Sequence, residues 1–222
     1  MRVLVIANRS DPETGFVGEA LAARGAVFEH AWREDVDAPL PAVGDHDLVL
    51  SLGSEWSVYW PSLAPEIERE AAHLRASVAA DVPVLGICFG AQMLAHTLGG
   101  GVEEAPSGGE VGWYDIETDV PDLIPAGPYL QWHTDRVVLP PTAVELARSP
   151  VGPQAFRLGS ALAVQFPPET TPDVAARWAA DGRQQLESLG IDEAALRASS
   201  AANAEDARAR AVVIVEGFLG GP

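Results

Sequence analysis

The 222-residue chain contains no lysine; all 14 of its basic residues are arginine. That excludes a Schiff-base lysine, a lysine general base and the phosphate-binding lysine of a P-loop. Cysteine occurs once, at Cys88, so neither an intrachain disulfide nor a multi-cysteine metal site can be built. The histidines (His30, His46, His73, His96 and His133) are scattered with no H-x-x-x-H pair, so no metal or other cofactor is expected. No apolar run approaches a membrane span, and the apolar run in MRVLVIANRSDPETG is too short for a signal peptide. Positive charge is also scarce, leaving a formal net charge of −18. Phosphate backbones and anionic membranes repel such a chain, so neither nucleic acid nor membrane is expected as a partner. A cytoplasmic protein is the simplest expectation.

What is present reads as an ordinary globular chain, 47% hydrophobic and 21% charged, long enough for a substantial core. RVLVIA (2–7) is a continuous apolar run, as in a strand buried on both faces. A helix is predicted from Phe16 to Arg24, stopped by Gly25, followed by strand candidates in AVFEHAW and DLVLSL. PEIEREAAHLRASVAA then places Ile67, Ala71, Leu74 and Val78 on one helical face, with Pro65 near the start. VPVLGI supplies another apolar strand, ending at Cys88. Strands separated by helices of this length imply parallel crossovers, hence a three-layer α/β sandwich around a central, mostly parallel sheet. From Gly112 to Phe166 the runs GWYDIE, YLQWH, RVVL and ALAVQF are short and divided by turns. They suggest antiparallel strands that extend the sheet or form a small side element. The Ala-rich tail from about Pro172 reads as helical with a break near Gly190, and no linker or repeat divides the chain. Residues 1–222 are therefore expected to form one domain, with a helical C-terminal extension over about 172–222.

The stretch VLGICFGAQML (84–94) carries the chemistry. A strand that turns abruptly into a helix exposes the corner side chain at the carboxyl edge of the sheet, where open α/β folds bind ligands. Gly86 and Gly90 flank Cys88 at two-residue spacing, the thiol counterpart of the G-x-S-x-G elbow. The dipole of the helix start is expected to favour the thiolate, and the Phe89 N–H to receive the oxyanion of an acyl transfer. The alternative is a buried structural cysteine whose glycines serve packing alone.

GICFGAQMLAHTLGG resembles the nucleophile motif of class I glutamine amidotransferases. LVLSLGSEWSVY, GGEVGWYDIE, LQWHTDRVVLP and QAFRLGSALAVQFPPE match further segments of that family in order, covering about Met1 to Glu169. The set most resembles stand-alone amidotransferases similar to the glutaminase domain of GMP synthase. The resemblance implies a flavodoxin-like fold and release of ammonia from glutamine through a Cys-His-Glu triad and a thioester. It implies a synthetase or other acceptor enzyme as partner, since this chain has no nucleotide-binding loop, and glutamine or a related small-molecule amide as substrate. On the same basis Cys88 is the nucleophile, Gln92 helps bind glutamine and Glu169 is the triad acid. Gly53 and Ser54 fall on the family's Gly-Gly turn, which supplies the second oxyanion donor. Serine there keeps the N–H but restricts the backbone more than glycine does.

The chain departs from that pattern most at Pro167. Where the family reads Gln-Phe-His-Pro-Glu, this sequence has Gln165-Phe166-Pro167-Pro168-Glu169. Proline accepts no proton, and losing a positioned acid–base group costs on the order of 10²–10⁴-fold. His30, His46 and His73 read as surface or packing residues, and His96 is roughly 12 Å of helix rise beyond Cys88. His133 is left as the candidate substitute base. It lies in QWHTD, which resembles the family's Trp-His-Gly-Asp segment, with Thr134 where glycine is common and Asp135 matching the acid. Two readings stand: an amidotransferase with weak or absent turnover alone, and a non-catalytic relative that binds a small molecule or regulates a partner.

Overall fold

The computed structural model describes residues 1–106 and 108–220. Strand β1 (Arg2–Ala7) is buried on both sides: Val3 and Val5 enter one core, Leu4 and Ile6 the other. This is why its sequence lacks polar alternation. Helix α1 (Gly15–Ala23) leads to the exposed edge strand β2 (Val27–Trp32), then β3 (Leu48–Ser51), helix α2 (Ala64–Ala79), β4 (Val84–Ile87) and helix α3 (Phe89–Thr97). Strands β5 (Gly101–Glu104), β6 (Glu110–Thr118), β7 (Gly127–His133), β8 (Asp135–Val138), β9 (Val144–Ser149), β10 (Gly152–Leu158) and β11 (Ala161–Val164) follow. The chain ends in helices α4 (Pro172–Asp181), α5 (Arg183–Leu189), α6 (Glu193–Ala202) and α7 (Ala204–Gly220).

The main sheet runs β2-β1-β3-β4-β11-β10-β9-β6-β7. Its first five strands are mutually parallel, and the remaining four pair antiparallel as an arm extending the sheet. Strands β5 and β8 form a separate antiparallel pair. Both antiparallel forms expected for the second half are present, but the ALAVQF run departs from that expectation: as β11 it pairs parallel with β4 and antiparallel only with β10. One core contains residues of β1, β3 and β4 together with α1 and α7; the second joins the opposite face of those strands to α2 and α3. A third cluster joins Val111 and Leu130 of the arm to Ala175, Ala179, Leu186 and Leu196 of the terminal helices. The break expected near Gly190 is a left-handed residue, φ 68°, that ends α5.

Among the described residues, no helix is long and apolar enough to cross a membrane.

Candidate functional site

Three neighbouring strands end at one place. Strand β3 delivers Leu52, Gly53 and Ser54, β4 delivers Cys88, and β11 delivers Gln165 to Glu169. These are carboxyl ends of parallel strands, where the following loops leave a crevice.

Cys88 sits between β4 and α3 with φ 53° and ψ −107°. A side chain in such a conformation costs on the order of 1–3 kcal/mol, and the surrounding structure has to hold it there. Here the Cys88 N–H donates to the Val164 carbonyl at 2.8 Å and its carbonyl accepts from Gln92 N–H at 3.1 Å. The flanking glycines permit two close approaches. A Cβ on Gly86 would lie 2.5 Å from the Gly90 carbonyl oxygen, and one on Gly90 only 2.1 Å from that of Ser51. Gly53 is different, since a Cβ there would meet only the Cys88 Cβ at an ordinary 3.6 Å. Ser54 does not adopt positive φ, so its replacement of a glycine introduces no left-handed strain.

The corner opens into a cavity of about 350 Å³ whose lining includes Gly53, Ser54, Cys88, Gln92, Pro167 and His133. Thr134 and Asp135 also line it, with Trp56, Trp132 and Trp178 supplying apolar wall. Gln92 Nε2 donates to Gln165 Oε1 at 3.4 Å, and Gln165 Nε2 approaches Cys88 Sγ at 3.9 Å. Asp135 is buried and accepts from the hydroxyls of Ser57 (2.6 Å) and Tyr59 (2.8 Å). It is thus tied to the loop after β3.

The site's electrostatics differ from the expectation of a ready thiolate. Burial, with the nearby Glu169 charge adding to it, pushes the Cys88 thiol up to about 12. The Phe89 N–H and the Arg33 guanidinium oppose this shift without cancelling it. The helix-start effect exists but desolvation outweighs it. Glu169 is buried, and its Oε2 has no hydrogen-bond partner among the described residues. Burial raises this carboxyl to about 8, its own backbone N–H works against the rise, and the Asp11 charge adds to it. The Glu169 backbone is held from α1: the Phe16 N–H donates to its carbonyl at 2.8 Å, and a Cβ on Gly15 would lie 1.8 Å from that oxygen.

His133, the candidate substitute base, shares the cavity with Cys88, but its ring is engaged elsewhere. Nδ1 lies 2.8 Å from the Asp135 carbonyl oxygen and Nε2 lies 3.1 Å from Gln131 Oε1, with Glu110 Oε2 at 3.4 Å. Both ring nitrogens thus already lie within hydrogen-bonding reach of groups other than the thiol. Of the other histidines, His46 is buried against Glu29, His73 is buried on α2, and His30 stacks on Trp32. His96 is exposed on α3.

Sequence reasoning missed the support beneath the corner. Arg33, directly after β2, is 1% exposed and pairs with Glu70 of α2 at 2.7 Å. Asn8, directly after β1, accepts from it at 2.9 Å. The available signal was position: each directly follows a parallel strand, on the edge that carries the site, although only β1 before Asn8 is an apolar run.

A doubly wound α/β protein with a strained strand–cysteine–helix corner over a crevice is the class that fold and site define. The profile of the glutamine amidotransferase class-I family matches residues 61–181, and the chain belongs to that family. A glutamine amidotransferase structure from Thermotoga maritima superposes with a TM-score of 0.90 at 24% identity, covering 100% of this chain and 99% of that one. GMP synthase [glutamine-hydrolyzing] of Pyrobaculum aerophilum is 35% identical over 164 residues, 71% of this chain and 28% of the relative. The Alkaliphilus metalliredigens protein of the same name is 34% identical over 126 residues, 53% of this chain and 23% of that relative. The chain thus spans under a third of the length of these curated relatives.

Proposed function

We propose that this chain is a single-domain, cytoplasmic amidotransferase-type protein. It binds glutamine or a related small-molecule amide over Cys88 and forms a thioester slowly, with little or no turnover alone. The observation that carries this reading is the Cys88 corner itself, held at positive φ and opening with Gln92 into the cavity. Attack of Cys88 Sγ on the amide carbonyl would form the S–C bond, and collapse of the oxyanion would expel ammonia. The thiol must lose a proton and the departing nitrogen must gain one. Pro167 occupies the position at which the family carries the histidine that performs both transfers, and Glu169 would be that histidine's acceptor. An unpartnered Glu169 Oε2 and a raised thiol fit a site whose middle member is gone. Released ammonia would pass to a partner synthetase or other acceptor enzyme. The same two observations favour a second reading, in which the pocket binds a small molecule and regulates a partner without turnover.

Ammonia release from glutamine by wild type, Cys88→Ala and Pro167→His separates the readings. Restoring a base between Cys88 and Glu169 is expected to raise turnover about 100-fold or more, with none from Cys88→Ala. Covalent labelling of Cys88 by an electrophilic glutamine analogue is expected even in wild type. Absence of labelling together with an inert Pro167→His variant would establish the non-catalytic reading instead.

A further inference from the structure

We propose that Arg33 is a positioning residue for the oxyanion-binding donors of the Cys88 site, a role that rests on the acyl-transfer reading above. Its guanidinium lies beneath the corner with its donors engaged. Nη2 donates to the Leu52 carbonyl at 2.8 Å and Nη1 to the Gly53 carbonyl at 3.0 Å. Nε donates to Glu70 Oε2 at 2.7 Å.

Those two carbonyls belong to successive peptides. A trans peptide carries its C=O and N–H on opposite sides, and no cis peptide occurs among the described residues. Anchoring the Leu52 and Gly53 carbonyls on one cation therefore turns the Gly53 and Ser54 N–H groups away from it. Neither N–H has an acceptor among the described residues, and both residues line the cavity with Cys88. The same guanidinium lies 4.8 Å from the centre of the Phe89 ring, and Phe89 supplies the N–H beside Cys88. One buried cation thus sets the orientation of the loop after β3 and packs against the start of α3. Free peptide groups at a loop can flip; carbonyls tied to a planar fork of donors cannot do so without leaving buried guanidinium N–H donors unsatisfied.

The test compares two reactions of the same sulfur. Alkylation by iodoacetamide builds no oxyanion. Acetylation by p-nitrophenyl acetate does: sulfur bonds the carbonyl carbon, the carbonyl oxygen bears the charge, and p-nitrophenolate leaves. Both reactions need the thiolate, so their rate ratio cancels its population. Cys88→Ala gives the background, read by intact mass and nitrophenolate absorbance. The acylation-to-alkylation ratio is expected to fall about 100-fold in Arg33→Met/Glu70→Gln, which removes both members of the buried pair. Arg33→Lys keeps the charge against Glu70 but cannot bridge both carbonyls, and should give an intermediate loss of roughly tenfold. Ser54→Pro, which deletes one donor with Arg33 intact, should lower the ratio as well. Unchanged ratios in Arg33→Lys and the double variant overturn the positioning role while the acyl-transfer reading stands. A wild type that is alkylated but never acylated overturns the acyl-transfer reading, and this role falls with it.

Discussion

Glu169 is 4% exposed, carries a carboxyl oxygen with no hydrogen-bond partner among the described residues, and lies close enough to Cys88 for its charge to raise the thiol further. Burying a charge without a partner is costly, and the group responds by holding its proton. In the folded chain it does so up to about 8, against an ordinary value of 4.5. The folded state then binds more protons than the unfolded one across that interval. The stability from this group is present in full below about pH 4.5, is lost as pH rises to about 8, and is constant beyond. Glu169→Gln keeps a polar, neutral side chain at every pH. Its stability should be flat in this respect, exceeding that of wild type at pH 8 by on the order of a few kcal/mol and converging with it near pH 4.5. Urea denaturation at several pH values reads this difference; parallel curves for the two proteins would mean that Glu169 holds its proton no more strongly in the folded chain than in the unfolded one. Cys88 shows the same balance with the opposite sequence expectation. A helix start favours thiolate, but a sulfur almost out of water meets a larger desolvation cost.

At the scale of elements, the corner is a packing problem solved by two glycines. Gly90 lets the first turn of α3 rest on the Ser51 carbonyl at the end of β3, and Gly86 lets β4 pass beneath that turn. Gly90→Ala would place a methyl 2.1 Å from a backbone oxygen that cannot move without displacing the sheet. A loss of about 3 kcal/mol or more is expected. Gly53→Ala meets only ordinary contact and should cost about 1 kcal/mol or less, despite its equal proximity to the site. Chemical denaturation of the pair checks this, and equal damage from the two changes would contradict it. The same elements show what could be read beforehand. Strands β1 and β4 were legible because burial on both faces writes a continuous apolar run, and Cys88 because glycine spacing and strand-to-helix polarity coincide. The antiparallel arm was legible only as short strands. Its order depends on long-range partners, and β10 meets β9 through register shifts around Ala155 that leave no period in the sequence. Arg33 was invisible for a related reason. A single arginine reads as a solvated charge until the fold brings Glu70, Asn8 and two carbonyls around it.

Over the whole molecule, 32 acidic residues face 14 arginines. The arginines are heavily committed: Arg33 to Glu70 in the core, Arg148 to Asp119 and Glu145, Arg177 to Asp11 and Glu13, and others singly at the surface. With 32 acids against 14 arginines, most of the surplus carboxylates have no cation to neutralise them, and their mutual repulsion opposes compactness. Salt acts on both populations in opposite directions. It weakens exposed ion pairs, worth about 0–1 kcal/mol each, and it relieves repulsion among the surplus carboxylates. A net charge of −18 makes the second effect the larger, because repulsion sums over many pairs at distances comparable to the Debye length. The buried Arg33–Glu70 pair is shielded from either change. Raising NaCl from about 0.02 to 0.3 M shortens the screening distance from above roughly 10 Å to below it, before specific-ion effects become large. Tm should therefore rise over that range at pH 7.5, and rise less at pH 5, where Glu169 and part of the acidic surface carry protons. A Tm that falls with salt at pH 7.5 would show that the arginine pairs, and not the carboxylate excess, govern the electrostatic stability of this fold.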